Sequence, residues 1–348
     1  MNKNNIISSV FVIVFILVFS WLEGQQFFDY SKNGSDYRQD VSINSSKLSE
    51  FSLESIAEIA DAQFYYTPYT SLLDQIVLYI NESDTRVYVE VYMLTETRIK
   101  EALVKANKRW VDVQVILEKN PYKAYNINNK HFKYLEESGV RVVWSNPKNY
   151  SLNHAKFILV DDLAIVSTWN FTYSTFTKNR DLFITISQDD IVESLGQIFA
   201  ADFAWEKISI YHDNLVISPT DSREKFRILF EEAKESIDLY FQYIQDDALR
   251  DVLLSRAQEW IDIRLIVSET SYKEDEKELD ILRDAGIAIS YLDREKMHSK
   301  AILVDGTYLF IWSVNFSSYS LDANREIGFV FRNNEVIKKF VQLFEKDF

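Results

Sequence analysis

The chain contains no cysteine. Disulfides, thiolate nucleophiles and cysteine metal sites are excluded together. Histidine is scarce: His131, His154, His212 and His298 are the only four. No cluster of Asp, Glu and His has the spacing of a metal-ligand set, so neither a metal nor another cofactor is expected. Positive charge is also short. The 38 Lys and Arg against 53 Asp and Glu leave a net charge of −15. A broad duplex-binding surface needs a basic face and is disfavoured, although a local basic cleft is not excluded. What the chain does have is apolar material. Hydrophobic residues make up 47% and aromatics 15% of 348 residues, enough for a sizeable packed core.

The N-terminus carries an uncharged run from Ile6 to Leu22, preceded by Lys3 and followed by Glu23. As a helix it is about 26 Å long, short but adequate to span a bilayer. A signal-peptide core is usually shorter, and no clear A-x-A cleavage site follows. An uncleaved signal-anchor is therefore favoured over a cleaved signal peptide, with residues 1–23 in the membrane and the body outside the cytoplasm. Cleavage would make the protein secreted. Residues 24–60 are polar and read as a tether, with a short helix near Leu53 to Ile59.

Beyond the tether the chain repeats itself, in halves assigned to residues 61–206 and 207–348. The strand-like stretch from Arg86 to Leu94 is matched by that from Ser236 to Ile244. The helix-like stretch from Thr97 to Arg109 is matched by Asp247 to Glu259, and the next strand, from Trp110 to Ile116, by Trp260 to Ile266. The offset is 150 residues throughout. Gly139 and Gly286 stand where a helix end needs positive φ before a strand. Even the ends agree, IFAADF at 198–203 with LFEKDF at 343–348. Strands alternating with helices imply an α/β fold. A repeat this long is too large for a solenoid. It implies two repeated α/β halves forming one bilobal unit with the site at their interface.

Two of the four histidines open the same pattern. His154-Ala-Lys156-Phe-Ile-Leu-Val-Asp161 is repeated as His298-Ser-Lys300-Ala-Ile-Leu-Val-Asp305. His and Lys two residues apart on a strand share a face, so an imidazole and an ammonium can converge on one phosphate. Two copies supply two of each. One histidine can attack phosphorus and the other can protonate the leaving oxygen, then deprotonate the incoming water or alcohol. The lysines stabilise charge on the non-bridging oxygens, so no metal is needed. A phosphodiester carries one negative charge, which two lysines can clamp.

These residues resemble the phospholipase D superfamily, whose signature is HxKxxxxD followed by a G-S/G-x-N segment. The resemblance covers about residues 61–348 and implies a bilobal α/β phosphodiesterase. It also implies that Asn170 and Asn315, in Ser167-Thr168-Trp169-Asn170 and Trp312-Ser313-Val314-Asn315, bind the phosphate. Asp181 and Glu326, in the segments KNRD and ANRE, would be the carboxylates that orient the histidines. The motif aspartates Asp161 and Asp305 would be structural. Ser167 and Trp312 replace the family's usual glycine, and the bulk of Trp312 is expected to narrow the pocket or reshape the backbone near the phosphate.

The remaining features read as structural. His131 and His212 match no motif and are assigned to the surface. Tyr65, Tyr66, Tyr88, Tyr92, Tyr240 and Tyr243 are assigned to strand and core packing, and the acidic run at 274–278 to a solvated helix start. The sequons at Asn170 and Asn315 coincide with the phosphate-binding asparagines and are taken as accidental. The expected function is hydrolysis of phospholipid head-group phosphodiesters by a membrane-anchored monomer, since one chain holds both motifs. Nucleic acid is the alternative substrate, and cardiolipin synthase-like transphosphatidylation the third reading.

Overall fold

The structure is a computed structural model that describes residues 48–68 and 70–348. Among these residues no helix is long and apolar enough to cross a membrane, and the run from Ile6 to Leu22 lies outside them.

Apolar residues run almost without interruption through the central strands, as in Phe157-Ile-Leu-Val and Leu309-Phe-Ile-Trp. Such strands must be covered on both faces. The first half provides β1 (Gln63–Tyr66), β2 (Arg86–Val91), β3 (Asp112–Leu117), β4 (Arg141–Trp144), β5 (Lys156–Val160), β6 (Leu163–Ser167), β7 (Asn179–Arg180) and β8 (Leu182–Ile186). The second provides β9 (Leu215–Ser218), β10 (Ser236–Tyr240), β11 (Asp262–Val267), β12 (Ala288–Tyr291), β13 (Lys296–Met297), β14 (Ala301–Val304), β15 (Tyr308–Trp312) and β16 (Glu326–Phe331). Seven strands of each half form a mixed sheet. One has the order β4-β3-β2-β5-β6-β8-β1 and the other β12-β11-β10-β14-β15-β16-β9. The same topology is built twice.

The inner faces of the two sheets share one core. Phe157, Leu159, Val166 and Ile184 meet Leu303, Ile311, Ile327 and Phe329 there, together with the apolar faces of helices Asp189–Ala204 and Asn334–Asp347. Each outer face has its own core beneath its own helices. The chain is thus a bilobal α/β unit.

Several boundaries differ from those the sequence suggests. The strands expected to start at Trp110 and Trp260 begin at Asp112 and Asp262. Each tryptophan instead takes a left-handed conformation (φ 70° and 68°) just after a helix end and is 95% exposed. Gly139 and Gly286 have φ of 83° and 94°. The stretch assigned to the end of the tether is part of the folded body. Phe51, Leu53 and Ile56 are buried in the second half's outer core, and Ile59 in the shared one. Apolar residues at these positions allow the segment to be strapped down, with the Leu53 amide donating to Glu232 at 2.8 Å. Its helix is a single 3-10 turn, Leu53–Ser55.

Trp312 also departs from expectation. It does not narrow the pocket but lies fully buried in the second half's outer core, stacked on Phe226 with ring centroids 3.6 Å apart. Its cross-strand partner is Gly328. A Cβ at 328 would lie 2.0 Å from the Trp312 Cβ, so the tryptophan fits only opposite glycine. Gly328→Ala should therefore destabilise the protein by at least the ~1–3 kcal/mol typical of overpacking. A urea midpoint equal to that of the unsubstituted protein would contradict this fit.

Candidate active site

Each half ends its motif strand at the boundary with the other, and the two backbones pair there. The second-half segment at β13 runs parallel to β7 of the first half, with Lys296 opposite Asn179 and Met297 opposite Arg180. The reciprocal contact is the parallel bridge between Asn153 and Arg325. The His154 amide donates to the Arg325 carbonyl at 2.8 Å and the His298 amide to the Arg180 carbonyl at 3.1 Å. Both histidines therefore sit in extended backbone just ahead of β5 and β14, held by the opposite half.

The side chains follow the backbone. His154 Nδ1 lies 2.8 Å from Glu326 Oε2, and His298 Nδ1 lies 3.5 Å from Asp181 Oδ1. Each carboxylate thus faces the histidine of the other half. Donation from His154 Nδ1 to Glu326 leaves the Nε2 lone pair free. The His298 side is looser. Lys300 Nζ lies 2.7 Å from His298 Nδ1 and competes with Asp181 for that nitrogen. Lys156 Nζ donates to the His154 carbonyl at 2.5 Å, and Lys300 Nζ to the His298 carbonyl at 2.6 Å.

Burial governs the electrostatics. His154 is 9% and His298 8% exposed, while Lys156, Lys300, Asp181 and Glu326 are fully buried. Desolvation pushes the His154 pKa down to about 4, against the pull of Glu326. Desolvation and then Lys300 and Lys156 hold His298 well below the usual imidazole range. Lys156 is likewise well below the usual ammonium range, through desolvation and the neighbouring Lys300. Desolvation brings Lys300 to about 7 although Asp181 and Glu326 oppose it. Burial pushes Asp181 well above the ordinary carboxylate range, against the pull of Lys300. Two buried lysines whose charge burial disfavours, beside two imidazoles held neutral, form a site whose charge a bound anion would stabilise.

Asn170 is buried, its Oδ1 accepting from the Met93 amide at 3.2 Å. Asn315 is half-buried, and its Oδ1 has no protein partner among the described residues. Asp161 and Asp305 lie at the far ends of β5 and β14 with φ near +50°. Asp161 accepts from the amides of Asp84, Thr85 and Arg86, and Asp305 from those of Lys234, Glu235 and Ser236. Both clasp a loop and stand outside the site.

Two aromatic residues belong to the site although nothing in the sequence marks them beyond proximity to motif residues. Tyr92 was expected as packing, but its ring meets His154 edge-on with centroids 4.8 Å apart, and Lys156 Nζ lies 5.3 Å from its centre. Trp169, beside Asn170, sets its ring edge against His298, which belongs to the other half. The remaining histidines are not simple surface groups. His131 is buried at 7% exposure because it lies on the inner face of helix Asn129–Glu137, where its Nδ1 meets Lys100 Nζ at 2.7 Å. His212 is partly buried, with Nε2 3.2 Å from Asp190 Oδ2.

The family of cardiolipin synthase, PLD-like domains matches the chain twice, over residues 76–203 and 226–348. The chain is 23% identical over 199 residues to a phospholipase D of Rickettsia prowazekii (strain Madrid E), covering 56% of this chain and 92% of that protein. It is 23% identical over 308 residues to cardiolipin synthase 2 of Bacillus cereus, covering 75% of this chain and only 59% of that protein. Among solved structures, phosphatidylserine synthase of Haemophilus influenzae Rd KW20 superimposes with a TM-score of 0.67 at 11% identity, covering 87% of this chain and 89% of the other. Polyphosphate kinase of Porphyromonas gingivalis does so with a TM-score of 0.65 at 18% identity, covering 82% and 50%. Both structural likenesses concern the fold.

The shifted groups imply a particular pH profile. Neutral His154, the form with a free ring lone pair, is lost as pH falls through about 4. The Lys300 charge is present below about 7 and is lost as pH rises through it. For turnover of a phosphodiester, kcat/KM should decline as pH rises, more steeply above about 7 where the Lys300 charge is lost. A rate still rising at pH 9 would contradict this assignment of charge.

Proposed function

Because the chain belongs to the phospholipase D superfamily, we propose that it is a metal-independent phosphodiesterase that hydrolyses phospholipid head-group phosphodiesters through a phosphohistidine. The observation that carries this reading is the pair of HxK motifs converging in one buried site, with His154 Nδ1 held by Glu326 so that Nε2 is available. Nε2 of His154 attacks phosphorus, the bond to the leaving oxygen breaks, and protonated His298 gives that oxygen its proton. Neutral His298 then takes a proton from water, whose oxygen attacks phosphorus as the P–N bond breaks. Burial and then the two lysine charges depress His298; the diester anion offsets the lysine charges, so a proton is taken up with substrate. Lys156, Lys300, Asn170 and Asn315 hold the non-bridging oxygens. The better-held histidine is assigned as nucleophile, and the looser one, which must change protonation state, as acid and base.

The run from Ile6 to Leu22 supports a lipid substrate by keeping the site near a bilayer with the body outside the cytoplasm, and the net charge of −15 gives little attraction for nucleic acid. With both motifs in one chain, a monomer suffices. A second reading, transfer of the phosphatidyl group to an alcohol, is favoured by the match of cardiolipin synthase, PLD-like domains to both halves.

The purified full chain should release head groups from phosphatidylcholine and phosphatidylglycerol vesicles, leaving phosphatidic acid, and should do so in EDTA. Cardiolipin as the main product from phosphatidylglycerol would favour transfer. Cleavage of single-stranded DNA without lipid turnover would move the substrate to nucleic acid, and loss of activity in EDTA restored by a divalent ion would overturn the mechanism.

A p-nitrophenyl phosphodiester needs no proton on its leaving group. His298→Asn should release about one equivalent of p-nitrophenol in a burst and then turn over slowly, with a loss of roughly 10²–10⁴-fold on natural substrates. His154→Asn should show no burst. A burst in His154→Asn alone would exchange the two roles.

A further inference from the structure

Asp202 and Asp347 appear in the sequence only as matching positions in two similar helix ends, IFAADF and LFEKDF. In the structure each is buried and engages a buried arginine of the other half. Arg325 Nη2 donates to Asp202 Oδ1 at 2.9 Å, and its Nε lies 2.7 Å from Oδ2. Arg180 Nη2 donates to Asp347 Oδ1 at 3.1 Å, and its Nε lies 2.7 Å from Oδ2. Both arginines are 1% exposed. A hydroxyl completes each group: Tyr150 lies 3.1 Å from Asp202 Oδ1, and Tyr240 donates to Asp347 Oδ2 at 2.9 Å.

The place of these arginines gives the pairs their meaning. Arg325 immediately precedes Glu326, which faces His154, and Arg180 immediately precedes Asp181, which faces His298. The carbonyl of each arginine also receives the amide of the same histidine. The first half therefore grips residue 325 twice, through Asp202 on the side chain and His154 on the backbone. The second half grips residue 180 in the same way, through Asp347 and His298.

We propose that Asp202 and Asp347 are positioning residues that fix the reach of each carboxylate to the histidine of the opposite half. The shared apolar core can hold the halves together, but burial of apolar surface is non-directional. A buried ion pair adds little net stability because desolvation offsets its attraction. A planar guanidinium that donates from Nη2 to one carboxylate oxygen while its Nε lies 2.7 Å from the other does constrain distance and angle. The arrangement occurs twice, once for each catalytic histidine. In the first copy Glu90 occupies the place that Tyr240 has in the second, held by Asn153 at 2.7 Å. Burial and the adjacent Asp202 push the Glu90 carboxyl well above the ordinary range. It can then donate to Asp202 as Tyr240 does to Asp347.

The test rests on the phosphodiesterase reading and compares Asp202→Asn and Asp347→Asn with His154→Asn and His298→Asn in the full chain. Two diesters are used, one with a p-nitrophenyl and one with an alkyl leaving group. Each aspartate variant should melt cooperatively and lose on the order of 10²-fold in kcat, with little change in KM. Asp202→Asn should resemble His154→Asn and lose the p-nitrophenol burst. Asp347→Asn should resemble His298→Asn, keeping the burst but not turnover of the alkyl diester. Arg325→Lys and Arg180→Lys keep the buried charge but lose the planar guanidinium, and should reproduce these two profiles even where an aspartate variant fails to fold. Equal losses on both diesters in both variants, or unchanged kcat in the lysine variants, would overturn the proposal. Matching profiles from His154→Asn and His298→Asn would instead reject the assigned histidine roles, and the likeness of each aspartate variant to its own histidine variant would still be read separately.

Discussion

Neither half of this protein completes a histidine–carboxylate pair by itself. Glu326 reaches His154 and Asp181 approaches His298 only across the interface. The parallel backbone pairing at 153–154 and 296–298 brings them together, and the shared core between the two sheets keeps that pairing in place. The outer cores, the helices above them and the loops clasped by Asp161 and Asp305 support the two motif strands from the opposite end. Disturbing the interface register would misplace both histidines at once, whereas a cavity in an outer core would be felt mainly by one half.

Within this near-twofold frame the two sides are not equivalent. His154 has a carboxylate at 2.8 Å and the edge of Tyr92, whereas His298 has Lys300 at 2.7 Å, a carboxylate at 3.5 Å and the edge of Trp169. A nucleophile benefits from a fixed tautomer, and the His154 side, with its carboxylate at 2.8 Å, offers it. A residue that must gain and lose a proton benefits from neighbours whose influence changes when the anion arrives. Lys300 and Lys156 provide that, because they add to the burial that depresses His298 and a bound diester offsets their charge. Two copies of one motif thus meet different surroundings, which is the basis of the different roles proposed for them.

Much of this architecture is legible in the sequence, because duplication makes the motifs visible twice. The repeat, the α/β alternation and the glycines at 139 and 286 all follow from spacing and local conformational demand. The cross-half pairing does not. KNRD and ANRE sit at similar distances after their own histidines, and nothing in one dimension says that each carboxylate turns to the other. Trp312 could not be placed either, since its burial depends on Gly328 across the ladder. His131 looked isolated because its partner Lys100 lies on a different helix. The segment from Phe51 to Ile59 reads as a tether because polar residues interrupt its apolar ones, yet Phe51, Leu53, Ile56 and Ile59 are buried in the folded body.

The central claim is that two motifs make one site. It is tested most directly by counting and locating the covalent intermediate. The full chain is mixed with a p-nitrophenyl phosphodiester, quenched, and analysed by intact mass and peptide mapping under conditions that preserve phosphoramidates. One covalently held phosphoryl group per chain, on His154, is the predicted result. Two per chain, one on each histidine, would mean that each half works alone and would contradict the account.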